Sequence, residues 1–112
     1  METTRQQKVA RQIQRDMAEI LRTEAADLLR GVMTTVTAVR VSPDFAYAKI
    51  YVSIFPFDKA SQTLETLRSN AWMLRRELGR RVRNQLRIVP EVEFFIDDSL
   101  EYIENIDNLL KE

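Results

Sequence analysis

The chain has 112 residues, of which 45% are apolar and 30% are charged, and it contains neither His nor Cys. This length suits one domain that buries its own core without covalent cross-links. The absence of His and Cys removes disulfides, the soft ligands of zinc, the commonest general base and the commonest strong nucleophile. An enzyme of this composition would have to work with carboxylates, Lys, Tyr or Ser.

The sequence contains no run of about 20 apolar residues that would span a bilayer. Its first eight residues are polar and lack the apolar segment of a signal peptide. We therefore expect a cytoplasmic protein without a membrane partner. Because no long apolar stripe is left over once the core is assigned, we also expect a monomer.

The 17 basic and 17 acidic residues cancel overall but are unevenly distributed along the chain. Residues 68–87 contain seven Arg and one acid, a balance of +6, whereas residues 88–112 contain eight acids and one Lys, a balance of −7. Residues 1–67 carry a balance of only +1. This asymmetry indicates a polyanionic partner for one surface and a different role for the other.

Residues 5–29 are predicted to form an amphipathic helix, because apolar residues recur along them at helical spacing. These apolar residues are Val9, Ile13, Met17, Ile20 and Leu28. The opposite side of the helix carries a first basic stripe, made of Lys8, Arg11, Arg15 and Arg22. Glu19 lies near this stripe and partly neutralises it, and Gly31 is expected to end the helix in a left-handed conformation.

Two predicted strands follow and form a hairpin across the turn sequence Ser42-Pro43-Asp44. Residues 33–41 are rich in Thr and Val, and residues 46–55 alternate in polarity. One face of the second strand is the predicted core, formed by Ala46, Ala48, Ile50, Val52 and Ile54. The other face carries Tyr47, Lys49 and Tyr51, which we expect on the exposed sheet surface. A base-stacking platform is the lesser alternative for that face.

A long helical stretch is predicted after Pro56, either continuous or broken in two. Its apolar face consists of Leu64, Leu67, Ala71, Leu74, Leu78 and Val82. Opposite lies a second basic stripe of Arg76, Arg80 and Arg83, which Arg87 continues if the helix runs that far. Gly79 marks either a kink or a close packing contact. Trp72 either covers a neighbouring element or is an exposed interface anchor.

A third strand is predicted after Pro90, where Val92, Phe94 and Ile96 alternate with polar residues. Beyond it, Asp98 or Ser99 can cap a short final helix with an apolar side of Ile103, Ile106 and Leu110. The order of elements is therefore α-β-β-α-(α)-β-α. It predicts an α+β domain in which helices pack on one face of a three-stranded sheet.

Several strings in this order resemble the ribosome-binding factor A family. They are RQQKVA at residues 5–10, MTTV at 33–36, SPDFAYAKIYV at 42–52, LRRELG at 74–79 and LRIVPEVEFFIDDS at 86–99. The resemblance covers nearly the whole chain. It implies that residues 1–112 form a single RNA-associated domain with a KH-like fold of the second type.

The resemblance further implies a non-enzymatic assembly factor that binds the free small (30S) ribosomal subunit and its 16S rRNA. Such a factor assists late rRNA maturation and processing, particularly in the cold, and it has no catalytic residue, metal or cofactor. Small-subunit ribosomal proteins are further candidate partners. The family lacks the Gly-x-x-Gly loop of ordinary KH domains and usually has an Ala-x-Gly kink between two helices. Here the kink positions read Asn70-Ala71-Trp72, so a Trp replaces the glycine.

The second basic stripe is the strongest candidate for rRNA contact, with Arg87 beyond it and Arg75 and Arg81 at its edges. Guanidinium groups at helical spacing can follow a phosphate backbone through forked hydrogen bonds and release its counterions. The first basic stripe is a weaker candidate. For both stripes, the alternative is a solvated helix face with no binding role.

Two other functions remain open from the sequence alone. In the first, the Arg-rich helix binds an acidic protein partner rather than RNA. In the second, the chain is a small enzyme that uses one or two of the carboxylates Glu91, Glu93, Asp97 and Asp98. The second ranks last, because the sequence offers no evidence of a pocket; acidic residues near Ser99 also suit a helix N-terminus.

Overall fold

A computed structural model describes residues 3–99 of the chain and confirms the α+β architecture. The elements are α1 (Thr4–Thr23), β1 (Met33–Val41), β2 (Tyr47–Phe55), a 3-10 turn (Phe57–Lys59), α2 (Ala60–Ser69), α3 (Ala71–Val82) and β3 (Glu91–Ile96). The predicted final helix lies outside the described residues. No helix within residues 3–99 is long and apolar enough to cross a membrane.

The three strands form one sheet in the order β1-β2-β3. β1 and β2 are antiparallel, as a hairpin requires, and β2 and β3 are parallel, with Ile50 beside Phe94. A bulge between Val36 and Ala38 shifts the register of β1 by one residue. The shift keeps Val39 and Val41 on the buried face, so alternation resumes on the correct side after the bulge.

The core lies between one face of this sheet and the three helices. The fully buried residues come from α1, β2, α2, α3 and β3, and they include Ile13, Met17, Ile20, Ile50, Val52, Leu67, Leu74, Leu78, Val82 and Phe94. β1 contributes the nearly buried Val36, Val39 and Val41. Within residues 3–99, the predicted apolar faces are buried or partly buried against this core, with two exposed exceptions, Leu28 and Ala46. Ala46 is exposed because it precedes β2, in the turn where its amide donates to Asp44 Oδ1.

The first helix is shorter than predicted, since it ends at Thr23 rather than near residue 29. The Ala25 amide donates to the Ile20 carbonyl at 3.0 Å, one residue further back than an α-helical bond, and a series of turns follows. This change of phase leaves Leu28 40% exposed and buries Leu29 in its place. Gly31 has the expected left-handed φ of 79°, but it ends these turns and not the helix.

The second helical stretch is broken at Asn70, and one residue serves both halves. The Asn70 side-chain amide donates to the Thr66 carbonyl at 2.8 Å at the end of α2. The Asn70 carbonyl accepts from the amides of Met73 and Leu74 at the start of α3, at 3.1 Å each. The interruption is therefore present although Trp72 replaces the usual glycine.

Gly79 marks a close packing contact within α3, which continues through it to Val82. A Cβ at Gly79 would lie 3.1 Å from Cγ2 of Val89, in the segment that leads into β3. Arg75 holds the same segment in place by donating to the Val89 and Pro90 carbonyls at 2.8 and 3.1 Å. The missing side chain at Gly79 lets this segment lie directly on α3.

Asp97 joins the end of β3 to β1 across the central strand. Its Oδ2 accepts from the hydroxyl of Thr37, the bulge residue, at 2.7 Å, and its Oδ1 accepts from the Ser99 amide at 3.0 Å. The Thr37 hydroxyl, and after it the two donors of Ser99, lower the pKa of the Asp97 carboxyl below its ordinary value. The charged carboxylate is thus the form that the fold favours.

We expect the effect of Gly79→Ala on the free energy of unfolding to depend on whether Val89 is present. With Val89→Ala in place, Gly79→Ala should raise the free energy of unfolding by about 1 kcal/mol, because Ala is the better helix former. In the wild-type background, the clash with Val89 should cancel or reverse this gain. Denaturant unfolding of the four proteins measures the difference. An equal effect of Gly79→Ala in both backgrounds would show that the contact is unimportant.

We also expect the contribution of Asp97 to stability to depend on pH. A group whose folded-state pKa is lowered stabilises the fold above its unfolded pKa and loses this effect as pH falls through the folded value. Asp97→Asn should therefore lower the thermal midpoint at pH 7, and its difference from wild type should shrink as the pH falls below about 4. Asp98→Asn, at the exposed neighbouring position, is the control. A difference that stays constant with pH would contradict this role.

Candidate nucleic-acid interface

The helices α1 and α3 lie side by side on the same face of the sheet. α1 packs on β1, and α3 packs against both α1 and β3. Each helix turns its apolar side toward the sheet, as the burial of Met17 and Leu78 shows. The opposite sides of both helices therefore point away from the sheet in the same general direction. Both basic stripes belong to this outer layer.

The second basic stripe is exposed along α3, and among residues 3–99 only Glu77 forms ion pairs with it. The Glu77 side chain is only 13% exposed, and its Oε1 lies 3.3 Å from Arg80 Nη1 and 3.9 Å from Arg76 Nε. Water still reaches both cations in these ion pairs, because the Arg76 and Arg80 side chains remain 55% and 67% exposed. Pairs of this kind contribute at most about 1 kcal/mol, so both guanidinium groups can exchange Glu77 for a phosphate.

Arg87 does not continue this stripe, because the helix does not run that far. α3 ends at Val82, and Arg83 is its C-cap. The amides of Gln85 and Leu86 both donate to the Val82 carbonyl, at 2.8 and 2.9 Å, and the chain then turns toward β3. Arg87 is exposed on the segment between α3 and β3, outside the helical register.

The two arginines at the edges of the stripe have different surroundings. The Arg75 guanidinium is bound to the carbonyls of Val89 and Pro90, so it has a structural partner already. Arg81 lies close enough to Glu19 of α1 for their charges to attract each other. The hydrogen bond from Arg22, at 2.6 Å, and more weakly the charge of Arg81 lower the pKa of the Glu19 carboxyl below its ordinary value. The two basic stripes approach each other at this carboxylate.

The first basic stripe borders a shallow groove between α1 and β1. Lys8, Arg11 and Arg15 line this groove, which has a volume of about 760 Å³. Arg15 donates to Gln12 at 2.9 Å on its own helix. The groove floor includes Val36, whose carbonyl accepts from Gln14 at 3.3 Å. Three exposed cations therefore line one side of α1 without a carboxylate among the groove residues.

The tyrosine face of β2 is turned away from the helices, as predicted. Lys49 is exposed, and Tyr51 is half-buried because its ring stacks on Phe95 of β3 at 5.6 Å. Sequence reasoning missed Phe95, since only the parallel pairing of β2 and β3 brings it beside Tyr51. The pair covers part of the surface that a base-stacking platform would need.

The carboxylates of the enzyme alternative do not assemble a metal site. Asp97 is occupied by Thr37 and by the Ser99 amide. In the part of the chain that the structure describes, no group of three acidic residues could hold a metal ion. Glu91 and Glu93 lie along β3 in register with Tyr47 and Lys49 of β2.

Two large apolar side chains lie exposed beside the second basic stripe. Trp72 in the first turn of α3 is 65% exposed, which favours the interface anchor over the covering role. Arg76 lies over its indole, with Cζ 5.3 Å from the ring centroid. Ile88 is also 65% exposed, and sequence reasoning did not single it out. Its position between Arg87 and Val89, outside any helix or strand, carried no periodic signal.

Comparisons with known proteins agree with this fold. Ribosome-binding factor A of Flavobacterium johnsoniae is 47% identical over 111 residues, which cover 98% of this chain and 85% of that protein. The crystal structure of ribosome-binding factor A from Thermus thermophilus superposes with a TM-score of 0.68 at 28% identity, covering 81% of this chain and 94% of that one. The likeness confirms the KH-like α+β fold.

A homology model of the Thermus thermophilus factor, fitted into a cryo-EM map of its complex with the 30S subunit, has a TM-score of 0.62 and 31% identity. It covers 79% of this chain and 90% of that one. The family model described as "Ribosome-binding factor A" matches residues 5–110. With nearly its whole length matched, the chain belongs to the ribosome-binding factor A family.

Proposed function

We propose that this chain binds the small ribosomal subunit by placing its two basic stripes on 16S rRNA. The observation that carries the proposal is the common orientation of α1 and α3, whose exposed cations lie in one layer facing away from the sheet. The name of its relatives supports the assignment. So does the 30S complex of the Thermus thermophilus factor.

The distribution of charge would orient the chain on the RNA. Arg76, Arg80 and Arg83 offer forked donors at helical spacing, and each phosphate they neutralise releases counterions. The acids of β3 lie on another side, because Glu91 and Glu93 follow the strand opposite the buried Phe94. Phosphates would be repelled from that side. The helical layer is thus the side that faces rRNA.

Binding alone would be sufficient for a role in late 16S rRNA maturation and processing. A ligand that binds one rRNA arrangement more tightly than others increases the population of that arrangement by its difference in affinity. Escape from wrong arrangements slows as temperature falls, because the barrier is divided by a smaller thermal energy. The same binding would then matter most in the cold. No catalytic residue is required for this action.

We expect reversal of the second basic stripe to abolish binding to small subunits while leaving the fold intact. In wild type, binding should be selective for small over large subunits and should weaken steeply with salt. The variant Arg76→Glu, Arg80→Glu and Arg83→Glu removes three phosphate contacts, so any residual binding should lose about 2 to 3 units of the log–log salt slope. Co-sedimentation with purified small subunits, large subunits and whole ribosomes measures both quantities.

A matched control carries the same change of charge away from the helical layer, as Arg30→Glu, Lys49→Glu and Lys59→Glu. It should bind small subunits nearly as wild type does. If both triple variants lose binding equally, net charge and not the second basic stripe is responsible. If wild type ignores small subunits even at low salt but binds an acidic protein, the protein–protein alternative is correct. Circular dichroism establishes that each variant is folded.

A further inference from the structure

The exposed Trp72 forms one wall of a groove. Phosphate binding by the basic stripes gives this aromatic side chain no role. The groove has a volume of about 410 Å³ and is lined by Trp72, Arg75, Arg76, Gly79 and Val89. Trp72 is the single Trp of the chain and is 65% exposed. Burial of so large an aromatic surface against a ligand would be strongly favourable.

The floor of this groove is held rigidly by contacts already described. Gly79 lets the Val89 side chain lie directly on α3, and Arg75 binds the carbonyls of Val89 and Pro90. The groove is therefore formed before any ligand arrives. A preformed site binds its ligand more tightly, because few of its own residues lose conformational freedom on binding.

Among the residues that the structure describes, the groove lining combines one flat aromatic surface with two cations and contains no acid. Arg76 covers part of the indole, with its Cζ 5.3 Å from the ring centroid, and its guanidinium remains accessible to a phosphate. Bases stack on exposed aromatic rings irrespective of their sequence, and arginine adds a cation–π contribution. An aromatic ring beside arginines is thus chemically suited to a nucleotide.

We propose that Trp72 is a stacking site for an unpaired base of RNA, with the Arg76 guanidinium holding the adjacent phosphate. This inference rests on the proposed function and adds a ligand for one part of the same surface. Bases within a duplex already stack on each other, so the ligand must be single-stranded or extruded from its helix. Trp72 and Arg76 are also the residue types of protein hot spots, but the absence of acids in the lining favours a polyanion.

Because Trp72 is the only Trp, its fluorescence reports directly on this groove. We would titrate the full chain with a single-stranded RNA oligonucleotide, with the duplex of the same sequence and with inorganic polyphosphate. The single strand should quench Trp72 emission. The duplex at equal phosphate concentration should quench it much less, and polyphosphate should leave it almost unchanged. Equal quenching by the duplex, or none by the single strand, would overturn the proposal.

A second measurement uses small subunits. Trp72→Ala should weaken co-sedimentation roughly tenfold, the loss expected for one stacked base, without changing the salt slope. Trp72→Phe should recover part of the affinity. Ile88→Ala, at an equally exposed apolar residue nearby, should have little effect. The exposure of Trp72 makes unfolding of the variants unexpected, and thermal midpoints check this.

The outcomes separate this site from the proposed function. If Trp72→Ala binds small subunits as wild type does, the stacking site is wrong although the proposed function stands. If Trp72→Ala loses affinity but no RNA quenches the fluorescence, Trp72 contacts a ribosomal protein and the stacking site is wrong. If wild type fails to bind small subunits while single-stranded RNA still quenches Trp72, the proposed function fails and the stacking site stands.

Discussion

Only one face of the central strand β2 is buried, and the positions of the other elements follow from that constraint. Ile50 and Val52 are completely inaccessible to water, which requires helices above them and neighbouring strands on both sides. All three helices must then lie on the same face, each with its apolar side inward. The outward sides of α1 and α3 are consequently parallel parts of one surface. The inward sides of these helices form the core, and their outward sides form the proposed binding surface.

The arginines of residues 68–87 divide into two groups that the sequence does not distinguish. Arg68 donates twice to the Phe94 carbonyl, at 3.2 and 3.0 Å, and Arg75 donates to the carbonyls just before β3. These contacts satisfy carbonyls along the open edge of the sheet, which would otherwise be available for strand pairing. Within residues 3–99, Arg80 pairs only with Glu77 of its own helix, and neither it nor Arg83 bonds a carbonyl of the β3 region. The excess of positive charge therefore serves both stability and the proposed binding.

The helix break and the groove beside Trp72 depend on two different residues, Asn70 and Gly79. Asn70 ends α2 and begins α3, so the break does not need a glycine at position 72. That position is then free to carry a large side chain, which the fold leaves exposed. Gly79, two turns further along, provides the close approach of Val89 that forms the groove floor. Trp72 is thus compatible with the helix break and adds an exposed aromatic surface beside it.

Within residues 3–99, the sequence alone determined the order of the elements and most of the core, because hydrophobic periodicity and turn chemistry are local properties. Its motif strings indicated the family, which the family model confirms. β1 and β2 have nearly their predicted bounds, and both basic stripes lie on outward helix faces. Only the tertiary structure decided what depends on contacts between distant residues. The binding of Arg75 to Val89 and the stacking of Tyr51 on Phe95 are of this kind. Periodicity carries no information about such contacts, since packing between elements sets which exposed or flanking residues meet.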